Sequence, residues 1–110
     1  MAYEIRPTPE FAKDLKQLKK KYPSIISDIE NLAISLQSKP QQGVALGNDC
    51  YKIRMSITSK GRGKSGGARV VTCVVALREK IFLLSIFDKS EMETPDAEKI
   101  QQTLNKIDFD

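Results

Sequence analysis

Six basic side chains fall between Asp49 and Val70: Lys52, Arg54, Lys60, Arg62, Lys64 and Arg69. Asp49 is the one acid in that stretch, so the local charge is +5 while the whole chain carries only +4. Cations at this density suit a polyanion. Arginine presents planar paired donors to a phosphate and lysine a compact charge, and contacts of this kind supply much of the affinity for a nucleic-acid backbone. Gly61, Gly63, Gly66 and Gly67 separate the outer cations. They let the backbone take positive φ and approach a ligand closely. Gly63-Lys64-Ser65 resembles the end of a nucleotide-binding P-loop. That reading fails, because Thr58 stands where the first glycine belongs and the strand-like run Ala68–Val75 follows where a helix must begin.

The missing residue types narrow the chemistry further. The chain has no histidine, which removes the usual general base near neutral pH and any metal site of the His/Cys kind. Cys50 and Cys73 lack zinc-site spacing. Residues 1–4 show no basic segment leading into an apolar block, and no apolar run nears the ~20 residues of a membrane span. Two reduced thiols and a cytoplasmic location are therefore expected, with no metal, cofactor or membrane partner. The 110 residues predict one domain, 1–110.

The elements that must position the cations can be read from periodicity. Residues 2–6 form a weak strand. Thr8, Pro9 and Glu10 then mark a helix start, and Phe11, Leu15, Leu18 and Tyr22 recur at helical spacing. Pro23 stops that helix. Ile25, Ile26, Ile29, Leu32, Ala33 and Leu36 make a second apolar stripe, which predicts a helical hairpin. A loop runs from Lys39 to about Asp49. From Tyr51 to Ile57 the chain alternates, with Ile53, Met55 and Ile57 on one face and Lys52, Arg54 and Ser56 on the other. Residues 68–77 and 81–87 are apolar strands. Thr94-Pro95-Asp96 repeats the helix-start signal, and Ala97, Ile100, Leu104 and Ile107 give the last helix its apolar face. The order β-α-α-β-β-β-α predicts an α+β fold: an antiparallel sheet of about four strands, helices on one face.

The runs CYKIRM, KGRGKSGGARVV and IFLLSIFDKSEM, preceded by KDLKQLKKKYPSI and SKPQQGVALG, resemble the RelE/HigB side of the RelE/ParE toxin superfamily. The likeness covers nearly the whole chain in order. Its specific part is the basic glycine hairpin, followed by a hydrophobic strand and an Asp-Lys-Ser-Glu segment. It implies a RelE-like fold and the toxin of a type II toxin–antitoxin system. It further implies a metal-independent endoribonuclease that cuts mRNA in the ribosomal A site, and hence mRNA, the ribosome and a cognate antitoxin as partners. In such cleavage the RNA 2′-hydroxyl attacks the adjacent phosphate. The reaction needs a base, cations for the growing charge and an acid for the leaving oxygen.

Carried over position by position, the resemblance makes Arg54 and Arg69 phosphate clamps. Lys52 and Lys89 become candidates for base, acid or substrate contact. Lys60, Arg62 and Lys64 are expected to grip RNA, and Phe87 to stack on a base. One departure stands out. Several members carry a tyrosine or histidine at the end of the last strand, where this chain has Phe87-Asp88-Lys89-Ser90-Glu91. Asp88, Glu91 or a lysine would have to move the proton. Two alternatives remain: a ParE-like gyrase-inhibiting toxin, and a non-catalytic RNA-binding member of the fold.

Overall fold

The computed structural model describes residues 2–61, 63, 64, 66–92 and 95–108. The chain forms β1 (Glu4–Pro7), α1 (Pro9–Lys21), α2 (Ile25–Ser38), β2 (Val44–Gly47), β3 (Cys50–Met55), β4 (Ala68–Val75), β5 (Lys80–Asp88) and α3 (Ala97–Asn105). Single 3₁₀ turns lie at Thr58–Lys60 and Ala76–Arg78.

The α1 start follows the sequence rule. Thr8 Oγ1 accepts from the Phe11 amide at 3.2 Å, with Pro9 as the first helical residue. The same hydroxyl donates to the Leu83 carbonyl at 2.8 Å, which anchors the helix to β5. The start of α3 differs from expectation. Asp96 is its cap, accepting from the amides of Glu98 and Lys99, and Thr94 lies outside the described residues.

The sheet has five strands in the order β1-β5-β4-β3-β2, one more than expected. The added strand, β2, is read as loop in the sequence because its turn is Asn48-Asp49 rather than Asn-Gly. Both residues take positive φ, 53° and 61°, between the paired Gly47 and Cys50. That is the two-residue turn whose twist matches a hairpin. The sheet is also mixed rather than antiparallel, since β1 runs parallel to β5. The helical hairpin forms the connection that carries the chain from β1 across to β2 at the far edge.

The helices lie on both faces, not one. Phe11, Leu18, Ile25, Ile29 and Leu36 of α1 and α2 pack with Ile53, Met55, Val70, Val74, Ile81 and Ile86. On the other face, Ile100 and Leu104 of α3 cover Cys50, Val71, Cys73, Phe82, Leu84 and Phe87. The physical reason is visible in β4 and β5. Both strands are apolar at consecutive positions, so a single covered face would leave half of each strand wet.

A register shift separates Val71↔Ser85 from Thr72↔Leu83. This bulge reverses the facing of every later residue of β5. Ile81 and Leu83 face the helical hairpin, but so does Ile86, while Phe87 turns to the α3 side.

Candidate functional site

The β3–β4 register places Arg54 opposite Arg69 and Lys52 opposite Val71; Arg69 in turn faces Phe87 on β5. Lys52, Arg54 and Arg69 thus share one sheet face, as the alternation of β3 requires. Arg54 is exposed and Lys52 half-buried.

Arg54, Lys52 and Lys64 line one open cleft of about 370 Å³ with Gln42, Gly43 and Val44, and none of the described residues lining it is a carboxylate. A second concavity beside it, about 300 Å³, adds Asn31, Ser35 and Ser56 around the same Arg54 and Lys64. Asp28 borders that second concavity. Its carboxylate is turned inward, accepting from the Thr58 amide and hydroxyl and from Ser24. The cleft depends on one glycine. Gly43 has φ +96°, and a Cβ there would lie 2.3 Å from the Lys52 carbonyl oxygen.

Arg69 is only 5% exposed. Among the described residues its Nη1 donates to the carbonyls of Lys64 and Ala68, each at 3.0 Å. It therefore fixes the backbone that carries Lys64, which is a different duty from the expected direct clamp. A guanidinium has five N–H donors, and two of these bonds already go to backbone carbonyls. Gly67 completes the junction: a Cβ there would lie 2.1 Å from the Met55 carbonyl.

Two expected RNA contacts fall elsewhere. Phe87 is 7% exposed and packs under α3 with Leu84, Ile100 and their neighbours, so it is a core residue and not a free stacking ring. Lys60 lies across the sheet on the hairpin side, its Nζ 2.8 Å from Asp88 and 5.5 Å from the Tyr22 ring centre. With its side chain 16% exposed, Lys60 is held in the fold rather than offered to RNA. Arg62 lies outside the described residues, as does Ser65 of the Gly-Lys-Ser tripeptide. Lys89 is half-buried, and its amide donates to the Gly67 carbonyl beside the hairpin.

Asp88 is 0% exposed and accepts from Tyr22 Oη, Lys60 Nζ and the amide and hydroxyl of Ser90. Burial alone would raise its carboxyl. The bonds from Lys60, Tyr22 and Ser90 outweigh burial and hold it well below the usual carboxylate range. Asp88 is thus a weak base and is removed as the proton acceptor considered from sequence. Tyr22, capping α1, brings a phenol to the end of the last strand, a placement that the sequence order conceals. Its hydrogen bond to Asp88, with burial, pushes the phenol above its ordinary value, so it stays protonated. Glu91 is exposed and pairs with Lys21 at 3.3 Å.

No protein-family model matches the sequence. Solved structures do resemble it. An arginine-to-alanine double variant of the E. coli toxin RelE in the free state superposes with a TM-score of 0.62 at 18% identity, covering 97% of this chain and 99% of that one. The intact E. coli RelBE toxin–antitoxin complex gives 0.60 at 19% identity, over 79% of this chain and 96% of that one. The Mycobacterium tuberculosis RelBE2 toxin–antitoxin complex gives 0.58 at 15%, over 80% and 99%. The five-stranded sheet, the helical hairpin on one face and α3 on the other therefore belong to a chain with the fold of the RelE toxins.

Proposed function

We propose that this protein is the toxin of a type II toxin–antitoxin pair, acting as a metal-independent endoribonuclease on ribosome-bound mRNA. The observation that carries the reading is the cleft of Lys52, Arg54 and Lys64, with no carboxylate among the described residues of its lining, on a RelE fold. In this reading an RNA phosphate enters the cleft. Arg54 and Lys64 hold its oxygens and offset the charge that grows as the 2′-hydroxyl attacks. Arg69 sets the position of Lys64 through the Lys64 carbonyl. With Asp88 locked and Glu91 paired with Lys21, we assign proton transfer to Lys52 or Lys89. The partner is an antitoxin whose acidic segment complements the same cations.

The test is primer extension on translated mRNA after brief induction. New 5′ ends inside translated codons are expected with the natural chain and not with Arg54→Ala. A second reading, RNA binding without cleavage, is favoured by the withdrawal of Phe87 and Asp88 from the cleft. Ribosome binding with intact mRNA would select it.

A further inference from the structure

Cys50 and Cys73 are free thiols, both buried, and they face each other across β3 and β4. The Val74 amide donates to the Asp49 carbonyl at 2.9 Å, so a ladder bond falls on the pair one step outward. Residues 50 and 73 thus occupy a non-hydrogen-bonded site, where facing Cα atoms lie about 4.5 Å apart. A disulfide spans Cα separations of about 4.4–6.8 Å, a range that includes this spacing. Cys50 also lines a cleft of about 300 Å³ between the β2–β3 turn and α3, with Leu46, Lys52, Ile100 and Leu104 around it. That volume lies at the lower end of the range of small-molecule sites. Cys73, its partner on β4, does not line the cleft.

We propose that Cys50 and Cys73 form a redox-modifiable dithiol, oxidised to a cross-strand disulfide by a small-molecule disulfide that enters the cleft beside α3. The Cys50 sulfur attacks one sulfur of the oxidant. One thiol leaves, and a mixed disulfide remains on Cys50. The Cys73 sulfur then displaces the second half of the oxidant. In balance, two protein thiols lose two hydrogens and two electrons, and one small disulfide becomes two thiols. The order of attack follows from position: Cys50 is the sulfur that lines the cleft, its thiol donating to the Asn48 carbonyl at 3.6 Å. The bridge would staple the two strands that carry Lys52, Arg54 and Arg69. Nothing in this inference requires RNA cleavage.

The test uses the intact folded protein and glutathione disulfide, with intact mass and alkylation after unfolding as readouts. The natural chain is expected to lose two hydrogens and to leave neither cysteine open to alkylation. Cys73→Ser should accumulate one glutathione on Cys50, and Cys50→Ser should stay unmodified. Retention of both thiols in the folded chain, under conditions that oxidise the urea-unfolded chain, would overturn the proposal, whatever the folding of the variants. A glutathione on Cys73 in Cys50→Ser, with Cys73→Ser unmodified, would overturn the order of attack.

Discussion

Asp88→Asn isolates the charge at the centre of the buried cluster. The substitution keeps the side-chain shape and one acceptor oxygen but removes the negative charge that faces Lys60. Hydrogen bonds to a charged group are worth about 1.5–3 kcal/mol, against about 0.5–1.5 for neutral ones. Removing one member of a buried ion pair costs about 3–5 kcal/mol. Because Asn still accepts a bond and Lys60 keeps some water, we expect a loss of about 2–3 kcal/mol, a large part of the stability of a domain this size. Urea unfolding followed by circular dichroism measures it. The pH dependence carries the stricter test. The folded carboxyl lies below its unfolded value, so the contribution is complete above the ordinary carboxyl range, near pH 4, and fades as pH falls further. The gap between natural chain and variant should hold from pH 7 to about pH 4, then narrow. A gap that stays constant into more acidic solution, or a loss below about 0.5 kcal/mol at pH 7, would refute the argument.

Arg54→Ala and Lys64→Ala should each weaken binding to single-stranded RNA and flatten its salt dependence by about 0.7 in log–log slope. Lys60→Met should leave that slope unchanged while lowering stability, as filter binding and urea unfolding on the same samples will reveal. Gly43→Ala forces a side chain onto the Lys52 carbonyl at an unfavourable φ. A cost of about 1–3 kcal/mol and weaker RNA binding are expected together, since Gly43 lines the cleft. Thr72 Oγ1 is buried and has no hydrogen-bond partner among the described residues. Thr72→Val should therefore raise stability by about 1 kcal/mol, read as a higher urea midpoint at unchanged slope.

The local elements were legible because their causes are local. The stripe Phe11, Leu15, Leu18 and Tyr22 has to bury one helix face, and Pro23 has to end it. Alternation over residues 51–57 places Lys52 and Arg54 on one face whatever strand pairs with them. The charge of the β3–β4 junction is equally a property of the chain alone. The second cover is legible too, because consecutive apolar positions in β4 and β5 demand apolar cover on both faces.

Other features depend on contacts between residues remote in sequence. Alternation puts Phe87 with Ile81 and Leu83; the bulge opposite Val71 and Thr72 turns it to the α3 side, where it is buried. Lys60 reads as one more hairpin cation until folding sets Asp88 against it, and Asp88 reads as a candidate base until Tyr22, Lys60 and Ser90 surround it. Composition and spacing determined that this chain carries a cluster of cations on two neighbouring strands and the loop between them. Only tertiary packing decided which of those cations face the cleft, because a side chain's freedom depends on what the rest of the fold places beside it.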